Sequence, residues 1–194
     1  MTNPTELNKK KQLIAEAAWK MILVHGIEGA SVRNISNEAR ISLGSLRYYF
    51  STQDELLNYS EELAYTRISE KIDAKMNENL PPKEKILGSI LELLPDRRGL
   101  SVESEVRMAF VIKRRMSSSP TNEKRKETQL LMKTIFSQLA LLNLLRKDLS
   151  VSMEVERLHS FIEGLSLRDD SAADVTNKAL LLYHLNSICV EDFE

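Results

Sequence analysis

A single cysteine, Cys189, stands in the 194 residues. It excludes an internal disulfide framework and a cysteine-based zinc site, and makes a reducing compartment the expected home. Glycine and proline are scarce, at six and five residues, and alternating β-branched runs are few. Leu, Glu, Lys, Ala, Ser and Ile dominate instead, a composition that favours helices. No apolar run approaches the roughly 20 residues of a membrane-spanning helix, and the opening "MTNPTELNKKKQ" has no apolar centre of a secretory signal. The expectation is a soluble, cytoplasmic, all-α chain with no membrane partner, long enough for one large or two small domains.

Catalytic motifs are missing too. There is no glycine-rich phosphate loop and no Gly-x-Ser-x-Gly elbow, and Cys189 has no histidine placed to mark it as a nucleophile. His25 and His184 have no clustered ligands. Glu156-Arg-Leu-His159 has the Glu-x-x-His spacing of half a di-iron site in a helical bundle. The full site needs a second such pair, which the chain lacks, so a solvated or interface pair accounts for it. Neither enzyme activity nor a metal or cofactor is expected.

The net charge of −1 conceals an asymmetry. Residues 1–50 carry seven basic and four acidic side chains, whereas the remaining 144 carry 20 and 24. An excess of cations at one end suits a polyanion there. The later runs "KRR" (113–115) and "EKRKE" (123–127) are flanked by acids or lie on helices, and read as solvated faces.

Apolar periodicity lays out about nine helices. The first runs over about 9–25, with Leu13, Ala17, Met21 and Val24 joined by Ile14, Ala18 and Ile22 on a wide face and Gly26 as the stop. Ser31 caps a short second helix, "SVRNISNEAR", with Val32, Ile35 and Ala39 inward. Ser42 caps a third. Thr52-Gln-Asp-Glu55 reads as a capping box opening a fourth over 52–77. The rest fall at about 83–94, 101–116, 120–147 with Ser119 as cap, 151–166 and 172–190.

Between the second and third helices lie only Arg40 and Ile41. So tight a connection forces a steep crossing, which is helix-turn-helix geometry. The third segment, "ISLGSLRYYF" (41–50), ends in an arginine and three aromatics, more than a two-turn core helix would use. In such a pair the second helix projects its first residues into a DNA major groove while nearby hydroxyls and amides hold phosphates. Ser42, Leu43, Ser45, Arg47 and Tyr48 fall outward or at the edge, Leu46 and Phe50 inward, and Gly44 permits close backbone approach. Tyr49 can pack its ring and send its hydroxyl to a phosphate. The plainer reading of the aromatics is a plug against the fourth helix, which suffices for Phe50.

Ser31 through Leu57, "SVRNISNEARISLGSLRYYFSTQDELL", resembles the helix-turn-helix of the TetR family of bacterial transcriptional regulators. The nine-helix layout is similar to that family as well. The resemblance implies a helix-turn-helix DNA-binding domain over 1–50 and a ligand-binding and dimerisation domain over 51–194. It also implies that Ser31, Arg33, Ser42, Leu43, Gly44, Ser45, Arg47, Tyr48, Tyr49 and Gln53 face DNA, with Ser31 and Tyr49 on phosphate. Three positions depart from the pattern. Leu43 and Gln53 stand where lysine is usual, and Arg47 where tyrosine is. Gln53 still offers a neutral hydrogen bond, and Arg47 can restore the charge or read a guanine.

The expected function is a dimeric, ligand-responsive transcriptional regulator acting as a repressor at a palindromic operator; the alternative is a small-molecule-binding protein of the same fold without specific DNA recognition. The last helix shows two apolar faces, one of which suits a second copy of the chain, although its own domain could also wrap it. Val155, Leu158, Ile162, Leu165, Ala179, Leu182 and Tyr183 are the expected homodimer interface. A pocket for an unidentified effector is expected among Ile68, Ile72, Leu87, Ile90, Leu91, Val106, Met108, Phe110, Met132 and Phe136, residues that any helical core would also contain.

Overall fold

The computed structural model describes residues 4–95, 101–116, 123–168, 176–191 and 193. These form α1 (Pro4–Gly29), α2 (Val32–Glu38), α3 (Leu43–Tyr49), α4 (Gln53–Asn77), α5 (Pro82–Leu91), α6 (Val102–Met116), α7 (Glu123–Leu141), α8 (Val151–Leu167) and α9 (Asn177–Ile188). Among the described residues there is no strand, only an isolated antiparallel bridge between Leu145 and Cys189. The chain divides into two compact units, residues 1–67 with 96–120 and residues 68–95 with 121–194. Residues 1–50 therefore lie in a unit that also holds the first part of α4 and all of α6.

In the first unit α1 buries Ile14, Ala15, Ala18, Trp19 and Ile22 against Ile35 of α2, Leu46 of α3, Phe50, Leu56 of α4, and Val106 and Phe110 of α6. Trp19 sits at the centre, its indole N–H donating to the Ser60 carbonyl at 2.9 Å. The Arg67 guanidinium lies over its ring, 5.0 Å from the centroid, and pairs with Glu16. Arg114 pairs with the nearly buried Glu61. The wide apolar face read on the first helix is trimmed: Leu13 and Val24 are 55% and 70% exposed. A stripe wider than its partners cover leaves its edge in solvent.

The second unit has one core, built from Ile68 and Ile72, Ile86 and Ile90, Met132 and Phe136, Val155, Leu158 and Ile162, and Leu181, Leu185 and Ile188. At its end, Arg146 N–H donates to Ile188 at 3.0 Å and Val190 N–H to Leu144 at 2.8 Å, which fastens the chain after α9 beside the chain after α7.

Several helix ends differ from expectation. α1 begins at Pro4, where a residue without an N–H leaves no orphan donor. Its regular part stops at Gly26, whose φ of 69° is left-handed, as the sequence suggests. α5 ends at Leu91, short of 94. α7 ends at Leu141 rather than 147, because Asn143, at φ 55°, turns the chain and Leu144 N–H closes on the Leu139 carbonyl at 2.9 Å. The proposed Ser119 cap and the expected start of the last helix at 172 lie outside the described residues. α9 is capped by Thr176, whose hydroxyl accepts from Ala179 N–H at 3.2 Å.

Candidate nucleic-acid interface

Two serines build the helix pair. Ser31 Oγ accepts from Asn34 N–H at 3.2 Å and Ser42 Oγ from Ser45 N–H at 3.0 Å, so α2 and α3 each start on a side-chain cap. In both caps the serine oxygen only accepts, and its own O–H remains available to a phosphate. Asn34 Nδ2 ties the entry of α2 to the Gly29 carbonyl at 2.9 Å.

α3 divides cleanly into two sides. Leu46 and Phe50 are 0% and 1% exposed. Ser42, Leu43, Gly44, Arg47 and Tyr48 are exposed, and Ser45 and Tyr49 half-buried. Leu43 at 40% and Tyr48 at 69% are large apolar or aromatic groups left in solvent. Tyr48 and Tyr49 meet edge to face, with ring centroids 5.2 Å apart. A Cβ added at Gly44 would meet nothing nearer than Ser42 Oγ at 4.0 Å. Nothing inside the chain demands glycine there.

The start of α4 is held in a different way from the expected capping box. Thr52 Oγ1 does accept from Glu55 N–H at 3.0 Å. The Glu55 carboxylate, however, reaches past Thr52 to Ser51, accepting from its N–H at 2.8 Å and its hydroxyl at 2.7 Å. Those two donors, the hydroxyl first, hold Glu55 below the usual carboxylate range, with Lys11 contributing. Gln53 spends one amide hydrogen on the Ala30 carbonyl at 3.2 Å and so ties α4 to the connector before α2; its other hydrogen is left for a phosphate. The Lys11 ammonium lies 5.0 Å from the Phe50 ring centroid and 5.8 Å from that of Tyr59.

Charge completes the picture. Arg33, Arg40 and Arg47 are exposed and, among the described residues, have no ion-pair or side-chain hydrogen-bond partner. Glu38 is engaged by Lys20 at 3.0 Å. Arg40 was not singled out from the sequence, because its signal is a backbone angle that arginine does not announce.

The other two residue sets are placed differently. Val155, Leu158, Ile162 and Leu165 are at most 4% exposed and belong to the second unit's own core, which corrects their assignment to a surface interface. Ala179 and Tyr183 are exposed and Leu182 half-buried. The outward side of α8 carries Met153, Ser160, Gly164 and Leu167, residues that the periodicity reading passed over. The ten expected pocket residues are divided between two cores. Val106 and Phe110 pack in the first unit, whereas Ile68, Ile72, Leu87, Ile90, Met132 and Phe136 pack in the second with Leu91 at its edge; Met108 is buried. Within the second unit an open cavity of about 530 Å³ is lined by Leu87 and Leu91 together with Leu80, Phe193, Lys75, Lys83 and Lys178. Arg107 of α6 is 1% exposed. Glu156 accepts from Gln129, and His159 lies 3.6 Å from Glu163, so that pair is held by neighbours within the helical unit.

Residues 14–59 match the model of the bacterial regulatory proteins of the tetR family. Over 196 aligned residues the chain is 36% identical to the HTH-type transcriptional regulator PksA of Bacillus subtilis, covering 99% of this chain and 96% of that one. Among solved structures, a transcriptional regulator from Rhodococcus sp. Rha1 superposes with a TM-score of 0.73 at 21% identity, over 92% of this chain and 95% of that one. AibR in complex with isovaleryl coenzyme A and operator DNA superposes with a TM-score of 0.65 at 16% identity, over 92% and 97%.

Proposed function

Since the chain belongs to the tetR family of bacterial regulatory proteins and is a DNA-binding transcriptional regulator, we propose that it acts as a dimeric repressor whose α3 enters the major groove of a palindromic operator. The observation that carries this reading is the exposed side of α3: Leu43, Gly44, Arg47 and Tyr48 in solvent, on a helix anchored by buried Leu46 and Phe50. Arg47 is the base reader, its planar fork suited to guanine O6 and N7. Ser31, Tyr49 and the second hydrogen of Gln53 grip phosphates and set register.

The dimer forms on the outward sides of α8 and α9. Met153, Leu167 and Tyr183 are 67%, 57% and 81% exposed, and a Cβ at Gly164 would meet nothing, leaving a shallow apolar stripe for a second copy. A two-fold pair would space its two α3 helices by about one DNA turn, roughly 34–36 Å, or a little more. The effector is a small apolar or amphipathic molecule taken by the second unit, where Leu87 and Leu91 open onto the cavity between lysines. The neighbour AibR was solved with isovaleryl coenzyme A and operator DNA, which supports both arms of the reading. Effector and operator must then oppose each other reciprocally.

A gel shift against the DNA upstream of its own gene tests the reading. A discrete complex that a stabilising small molecule releases is expected. Failure to bind any such duplex would favour the small-molecule-binding alternative.

A further inference from the structure

Arg40 is out of place by the rules of backbone conformation. Among the described residues three positions have left-handed φ: Gly26 at 69°, Arg40 at 54° and Asn143 at 55°. Glycine has no Cβ to clash there, and asparagine tolerates the region through its short polar side chain. Arginine has neither property.

The comparison with Asn143 is direct, because both residues occupy one position of one turn. After α7, Asn143 N–H donates to Ala140 at 3.0 Å and Leu144 N–H to Leu139 at 2.9 Å. After α2, Arg40 N–H donates to Asn37 at 3.1 Å and Ile41 N–H to Ser36 at 3.0 Å. Both are the paired bonds that end a helix on a left-handed residue, where glycine and then asparagine are the usual occupants. The fold therefore needs the angle at residue 40 but not the side chain. That side chain is exposed and has no partner among the described residues. Residue 40 also lies two positions before Ser42, the cap of the groove-reading helix, where a protein passes from phosphate backbone to base edges.

We propose that Arg40 is a phosphate-contact residue: its guanidinium takes a DNA phosphate beside the groove that α3 enters, and this contact is why a strained arginine stands in the turn. The proposal rests on the DNA-binding reading above. A guanidinium holds phosphate through two parallel charge-assisted hydrogen bonds. Such a contact releases counterions and carries no sequence information, so its removal is uniform over duplexes and visible in salt dependence.

The test compares wild type, Arg40→Asn and Arg40→Lys in fluorescence-anisotropy titrations of the operator and a random duplex between 50 and 300 mM salt, with thermal melting of each protein. Arg40→Asn should melt at the same temperature or up to about 3 °C higher, since asparagine suits the angle better. The same variant should lose roughly fivefold in affinity for each engaged chain at 0.15 M salt, on both duplexes alike, and its plot of log K against log salt should flatten by about 0.9 per chain. Arg40→Lys, which keeps the charge, should hold the slope. An Arg40→Asn protein with wild-type affinity and slope would overturn the proposal while leaving the DNA-binding reading intact. A loss confined to the operator would overturn it too, making Arg40 a base reader. A wild-type protein that bound neither duplex would instead remove the reading underneath.

Discussion

The helix-turn-helix segment and the second unit treat arginine in opposite ways. Three arginines of the second unit have partners: Arg146 has Asp148 at 3.1 Å, Arg157 has Glu154 at 2.9 Å, and Arg168 donates to Asn177 at 3.4 Å. In residues 31–50, Arg33, Arg40 and Arg47 have none among the described residues. Exposed ion pairs add little stability, so pairing is not a requirement of the fold. What differs is the partner each surface awaits. Guanidiniums held by neighbouring acids are poorly placed to meet a polyanion, whereas three left bare on two short helices and their turn are ready for one.

The sharpest way to break this contrast is to put a charge where each region should tolerate it least. Ile162→Asp places a carboxylate in the second unit's core, at a residue that is 0% exposed, and should cost at least about 4 kcal/mol in urea denaturation, enough to unfold many domains. Tyr183→Asp, at 81% exposure, should leave the helical fold intact by circular dichroism and yield monomers in sedimentation, with a melt lowered only by the lost association. An Ile162→Asp chain with wild-type stability would return Ile162 to the surface.

A smaller effect comes from His184. Burial, assisted by the Arg157 charge, holds its imidazole down at about 4, and its ring stacks on Phe161 at 5.0 Å. The unfolded chain binds this proton near pH 6.5 and the folded chain does not, so stability is full above that pH and falls as pH drops towards 4, by at most about 3 kcal/mol. Melting curves from pH 7 to 4.5 should show the loss, and His184→Gln should flatten it. A slope identical in both proteins would assign the acid sensitivity to other groups.

Arg47→Ala sharpens the comparison on the DNA side. It should weaken operator binding by about 1–3 kcal/mol and random-duplex binding by much less, if the side chain pairs with guanine. Equal losses would reduce Arg47 to a phosphate contact. Last, Asn143→Ala should lower stability by about 1 kcal/mol, because alanine cannot take the left-handed angle without strain, and should leave the salt slope of DNA binding untouched.

What could be read in advance follows from where each signal is stored. Ser31, Ser42 and Thr52 declared their caps, since hydroxyl residues ahead of apolar periodicity have few other reasons to recur. The apolar stripe of α8 showed that Val155, Leu158 and Ile162 share a side but not which partner covers it, because a core and an interface demand the same residues. The side proposed for a second copy is the complement of that stripe, the exposed positions Ser160, Gly164 and Leu167. The pocket set is divided between two cores for a similar reason: periodicity finds buried side chains, not the gaps between them. The end of α7 was hidden by the apolar run after Leu141, though Asn143 marked it. Nothing in the sequence marked Arg40, for the strain there belongs to an angle.

The bridge that joins Leu145 to Cys189 leaves the molecule with an internal clock. Its only thiol is 6% exposed, and burial, opposed only by the Lys83 charge, pushes it up to about 11, so in the native chain it is neither accessible nor ionised enough to attack a disulfide reagent. Labelling must wait until the last residues peel from the segment after α7. The rate at which a chromogenic thiol reagent modifies the protein thus counts those openings, and its dependence on denaturant separates a fraying C-terminus from loss of the whole second unit.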